Sequence, residues 1–275
     1  MRLSRVFVAG AIVAGTSLVG LSGPANAADA TVSVLHGVPG TTVDVYANGA
    51  PLLTNFAPGT LTEPVSLPAG DYDLKVTAAG AGAQGQAVIE ANDVTVPSGA
   101  NITVVAHLDA NGGPVLTPFV NDTSQVEAGK GRLTVRHTAA APAVDVRANG
   151  TVAFPGLVNP KEASAVLPAG SVSADVTLAG TGNVALGPAD VAVAEGTHTI
   201  VYAWGSAADN NLQLAVQKIT GLHSSPSGVP AGNGGAAAEA PTEMSGMLIL
   251  AGTAVAAAGG GLLWTTRRRQ GAPTA

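Results

Sequence analysis

Hydrophobic and polar positions divide the 275-residue chain into stretches of different grain. Residues 6–21 form an uncharged apolar run behind Arg2 and Arg5, and Ala25-Asn26-Ala27 supplies a small-x-small cleavage site, so residues 1–27 predict a secretory signal peptide. Residues 244–266 form a second uncharged apolar stretch, followed directly by Arg267, Arg268 and Arg269. Its length suits the roughly 20 helical residues that cross a bilayer core. Trp264 falls where an interfacial aromatic belongs, and the arginines mark the cytoplasmic side. The expected topology is a single-pass transmembrane helix in the cell membrane, with the N-terminal domains extracellular and residues 267–275 a cytoplasmic basic tail.

Between the two runs the period changes to two. Thr31-Val32-Ser33-Val34, Thr42-Val43-Asp44-Val45-Tyr46 and Tyr72-Asp73-Leu74-Lys75-Val76 alternate as half-buried strands do, and Asn48-Gly49 and Asn149-Gly150 are tight-turn dipeptides. No segment there sustains a 3.6-residue period. Short strands with turn signals every 8 to 12 residues, about seven in each half, predict an all-β chain of antiparallel, Ig-like β-sandwiches.

The halves repeat. Residues 33–49 align without gaps on residues 134–150, with eight of 17 positions identical, and Leu67-Pro68-Ala69-Gly70 returns as Leu167-Pro168-Ala169-Gly170. The expected organisation is a first β-sandwich over residues 28–121, a polar linker over 122–130 and a second sandwich over 131–220. Residues 221–243, rich in Ser, Pro, Gly and Ala, read as a flexible stalk spanning about 25 Å by the random-coil rule. The layout is similar to that of sortase-anchored wall proteins, but residues 240–246 lack the Leu-Pro-x-Thr-Gly order, so the helix is expected to stay as the anchor.

His137, the run Ala141-Pro142-Ala143-Val144-Asp145-Val146-Arg147-Ala148-Asn149-Gly150 and the later Leu167-Pro168-Ala169-Gly170 resemble the signature of the domain-of-unknown-function family 4397 of exported bacterial proteins. The first copy keeps His36, Val43-Asp44-Val45 and Asn48-Gly49 but has Pro39-Gly40-Thr41-Thr42 in place of the Ala-Pro-Ala segment. The resemblance implies a sandwich fold and an extracytoplasmic home; it carries no activity and no catalytic residue.

Charge and composition narrow the function classes. All 18 acidic residues lie within residues 29–243 against seven Lys and Arg, a formal charge of −11 for the middle region. Such a surface repels phosphate backbones, so no nucleic-acid partner is expected. The chain has no cysteine, which removes disulfides, thiol nucleophiles and thiolate metal ligands. Arg outnumbers Lys eight to four and Ala, Gly and Val are abundant, a composition that suits a high-GC, actinobacterial source.

His36 and His137 recur between the copies, as do Asp44 and Asp145, which raises a His-Asp dyad for base catalysis or metal binding. Alternation argues against it: His36 shares the face of Val32 and Val34, whereas Asp44 points away from Val43 and Val45. The bland alternative is a strand-end histidine bonded to backbone and an aspartate that fixes a loop. Asp109 and Asn111, with Asp209 and Asn210 in the corresponding late loop, are candidate oxygen ligands for calcium, but Val120 stands at the twelfth position from Asp109, where an EF-hand needs an acid. Five scattered histidines do not make a zinc site, and no nucleophile elbow or phosphate loop occurs. Trp204 stands where the first copy has His107 and is a possible ligand contact. With no catalytic motif and no cofactor called for, the expectation is a non-enzymatic cell-envelope binding, adhesive or structural module with an envelope component or protein as partner. The alternative is a metal-dependent sensor or enzyme with its site between the two domains.

Overall fold

The computed structural model describes residues 27–224, and they contain sixteen strands and no helix. The first half runs β1 Ala30–Gly37, β2 Val43–Ala47, β3 Ala50–Phe56, β4 Val65–Leu67, β5 Gly70–Ala78, β6 Ala87–Val96, β7 Asn101–Leu108 and β8 Pro114–Val120. The second runs β9 Lys130–Ala140, β10 Val144–Ala148, β11 Thr151–Leu157, β12 Glu162–Pro168, β13 Gly170–Leu178, β14 Val184–Val193, β15 His198–Ser206 and β16 Gln213–Ile219. Each half therefore holds eight strands where about seven were expected. The three-residue β4 is too short to show alternation. Asn48 and Gly49 take φ of 50° and 77°, and Asn149 and Gly150 take 52° and 80°. Two successive left-handed residues are what a type I′ hairpin turn demands, and Asn-Gly meets the demand at least cost.

The sheets are four-stranded, ordered β4-β1-β7-β8 and β3-β2-β5-β6 in the first half, then β12-β9-β15-β16 and β11-β10-β13-β14 in the second. Strand for strand the second half repeats the first. Within each half Val32 and Val34, or Leu133 and Val135, look inward to an apolar core shared with the facing sheet. The connectivity corrects the Ig-like expectation. An immunoglobulin sheet sets its first two strands side by side. Here β1 leaves β2 for the other sheet and runs parallel to β7, with Val32 beside Ile102. Alternation tells which residues face inward, but not which strand becomes whose neighbour.

The two halves meet through equivalent sheets. Leu35, Val105 and Phe119 on the outer face of β1, β7 and β8 pack against Ile200 and Tyr202 of β15 in a core common to both sandwiches. The order of layers is thus outer sheet, inner sheet, inner sheet, outer sheet. β1, β7, β9 and β15 are buried on both faces, and β15 is buried along its whole length.

The connecting segments are tied down. The Arg132 guanidinium donates to the Asp122 and Ser124 carbonyls at 3.0 and 3.2 Å and pairs with the Asp122 carboxylate. Val126 bridges His223, and Leu222 is buried. Residues 122–130, expected as a linker, and 221–224, expected as the start of the stalk, are therefore fastened to the second sandwich by backbone hydrogen bonds. The expected signal up to residue 26, the stalk beyond Ser224, the membrane span and the basic tail lie outside the described residues. Among the described residues no helix is long and apolar enough to cross a membrane.

Candidate functional site

The repeated histidines sit at matching places inside the sandwiches. His36 follows Val32 and Val34 into the first core, where its ring stacks on Phe56 at 5.6 Å between centroids. Its Nε2 is 2.8 Å from the Thr41 carbonyl oxygen, and the amide of Val38 donates weakly to Nδ1. His137 repeats the arrangement with the Pro142 carbonyl oxygen at 3.0 Å from Nε2 and the Ala139 amide at Nδ1. Both rings thus donate through Nε2 and close the loop between the first two strands of a copy. Burial holds both below the ordinary imidazole pKa, so they are neutral at pH 7.

Asp44 and Asp145 do something else. Asp44 accepts from the Asn55 amide through Oδ1 and the Gly80 amide through Oδ2, each at 2.8 Å. Asp145 accepts from Gly156 at 2.7 Å and Gly180 at 2.8 Å. In each copy one carboxylate ties the β2–β3 pair, or its counterpart β10–β11, to the turn that follows β5, or β13. The pairs straddle a register shift in the ladder, and Asn55 and Gly156 both have left-handed φ. The Gly180 and Gly156 amides hold the Asp145 carboxyl below its ordinary pKa. No hydrogen bond or ion pair joins His36 to Asp44 or His137 to Asp145, so the structure does not bring the dyad together.

The acidic turns close on themselves. Asp109 Oδ1 accepts the amides of Asn111 and Gly113 at 2.8 Å, which spends that oxygen on the turn. Asn210 adopts left-handed φ, and the Asp209 amide donates to Ser206 Oγ at 3.2 Å. Among the described residues no group of three His, Asp or Glu side chains converges to hold a metal ion.

Trp204 is not an exposed contact. It is 3% exposed and packs on the first sandwich, where its Cβ lies 3.2 Å and its ring 3.0 Å from the places that Cβ atoms on Gly37 and Gly59 would take. Its face of β15 looks at the other copy and not at solvent. Near it Asn159 spans the junction, donating through Nδ2 to the Leu108 carbonyl at 2.8 Å and the Ala139 carbonyl at 2.6 Å. Deeper in the interface Arg136, 1% exposed, donates to Glu162 and to the Tyr202 hydroxyl; Tyr202 and Thr103 both donate to Gln217 Oε1. The interface is packed and largely hydrogen-bonded, although the buried Trp204 Nε1 and Asn159 Oδ1 have no hydrogen-bond partner.

The opening lies at its side. A cleft of about 770 Å³ runs between residues 61–64 of the first sandwich and strands β14 and β16 of the second. Glu63, Asp190 and Lys218 supply charge and Gln217 an amide, while none of the repeated histidines or aspartates lines it. β14 and β16 are edge strands, each hydrogen-bonded to a single neighbour. The sequence raised a site between the two domains but named none of these lining residues, because the walls come from segments far apart in the chain and none of them carries a motif.

A family model described as a domain of unknown function, DUF4397, matches residues 30–147, which takes in all eight strands of the first sandwich together with β9 and most of β10. No curated protein matches the chain.

Proposed function

Residues 30–147 of this chain belong to the family DUF4397, and from that premise we propose a non-enzymatic binding module of the bacterial cell envelope, exported by its N-terminal signal and held by its C-terminal apolar helix with the sandwiches outside. Its ligand is an extended polypeptide segment of an envelope protein, laid in the cleft beside β16. The observation that carries this reading is the pairing of an open cleft with two edge strands. The outward backbone groups of an edge strand hydrogen-bond an added strand, and neighbouring side chains select its sequence. Glu63, Asp190 and Lys218 supply that selection. The filled interface holds the two walls at fixed separation, so little ordering cost falls on the protein when the segment binds.

Selection of random-sequence peptides from a display library on the full-length protein tests the proposal. Enriched peptides should compete with one another and lose at least tenfold in affinity on Lys218→Glu, with the unfolding midpoint unchanged. A library that enriches nothing, or peptides indifferent to this substitution and to Glu63→Lys, would overturn it.

A further inference from the structure

The two sandwiches share a strand plan but not a filling. In the first, the interior between the sheets leaves about 30 Å³. In the second it leaves about 130 Å³, walled mainly by apolar residues such as Leu133, Val146, Phe154, Val172, Ala174 and Leu186, with Arg147 and Asp175, paired with each other, also in the lining. The ladders identify which residues made the difference. Leu74 faces Ala47 across the β2–β5 pair, and Ala174 faces Ala148 at the same rung of β10–β13. Two residues earlier, Tyr72 of β5 becomes Val172 of β13. On the next strand over, Leu52 of β3 becomes Ala153 of β11. All three large residues line the first interior, and all three small ones line the second. The exchange of Leu53 for the larger Phe154 on β11 returns only part of the volume.

A second difference lies along the same side of the sandwich. Val152, Val158 and Val166, on edge strands β11 and β12 and the loop between them, are 47%, 45% and 46% exposed. The corresponding positions of the first copy hold Pro51, Ala57 and Ser66. The copy with the hollow core is thus the copy whose neighbouring edge exposes three valines. Ala153 and Phe154 of β11 and Ala165 of β12 carry the cavity wall to that edge.

We infer that the second sandwich is a binding site for a small uncharged apolar molecule of about six heavy atoms, held between its sheets and entering past the β11–β12 edge. An apolar cavity of this size stays dry, and a hydrocarbon of matching volume recovers the dispersion contacts that its lining lacks. The first sandwich, closed by Leu74 and Tyr72, is the built-in control. This site is separate from the cleft beside β16, and neither proposal depends on the other.

Benzene is the probe, and the readout is the unfolding midpoint of the full-length protein. Wild type should rise by a few degrees at saturating benzene, because a ligand that binds only the folded state stabilises it by mass action. Ala174→Leu should melt higher than wild type without benzene and show no benzene shift; Val172→Tyr fills the cavity from two residues earlier on the same strand, β13, and serves if Ala174→Leu does not fold. No shift in wild type, or equal shifts in wild type and the filled variant, would overturn the inference.

Discussion

Arg136 of the second sandwich lies over the ring of Phe119 of the first, its guanidinium carbon 4.4 Å from the ring centroid. The contact joins the two copies at the centre of their shared core. Glu162, which pairs with this arginine, is 41% exposed, so water can take up its charge when Arg136 is removed. The loss then comes from packing, the ring contact and the bond to Tyr202, about 2–3 kcal/mol for Arg136→Ala in urea unfolding. Arg136→Lys should recover little of it, because an ammonium cannot donate to Glu162 and Tyr202 in the same fork.

A common core predicts common melting. The intact chain should show one cooperative unfolding transition for both sandwiches. Leu35→Asp, which buries a charge among Val105, Ile200 and Tyr202, should separate it into two or abolish folding. Two well-resolved transitions in the wild type would contradict the shared core.

Acid should loosen the molecule. Burial holds His36, His107, His137 and His198 below the ordinary imidazole pKa, with Arg132 and Arg136 reinforcing the effect at His198. The unfolded chain, with histidines near 6.5, takes up protons before the folded one. Stability is therefore full above about pH 6.5 and falls as pH drops below it, by up to roughly 1.4 kcal/mol per pH unit for each histidine. Urea midpoints at pH 7.5, 6.5 and 5.5 measure the slope, and His107→Gln should flatten it. A midpoint constant over that range contradicts the neutral assignment.

The carboxylate braces can be weighed separately. Asp44→Ala leaves the Asn55 and Gly80 amides without their acceptor and should cost about 3 kcal/mol. Asn55→Gly should be harmless, since the second copy has Gly156 at that left-handed position.

Trp204 is tested through the glycine beneath it. A Cβ on Gly59 would sit 3.0 Å from Trp204 Cζ2 and would also strain a residue at φ 78°. Gly59→Ala should cost about 2 kcal/mol. Equal stability of Gly59→Ala and wild type in thermal unfolding would show that the ring gives way freely.

Much of each sandwich could be read in advance from local chemistry. The Asn-Gly turns, the inward valines and the histidine that follows them into the core are all consequences of backbone alternation, which a sequence displays directly. What lay beyond it depended on the second face of the inner sheets. Alternation analysis gives a half-buried strand one wet face, yet Ile200, Tyr202 and Trp204 line one face of β15 and Thr199, Val201 and Ala203 the other. That unbroken run was the available signal that the strand is covered on both sides. Trp204 and the charged Arg136 were unreadable without it, since each owes its environment to the other copy.

The two inner sheets also set a limit on growth. Each copy has one such face, and in the pair each is consumed by its equivalent on the other copy. Contacts of this isologous kind close on themselves, whereas a head-to-tail surface leaves a free end for the next unit. A duplication joined this way terminates at two. Adding a third copy to the gene would lengthen the chain without extending the stack, and the newcomer would be left with an uncovered Leu35-like face seeking a partner in another molecule.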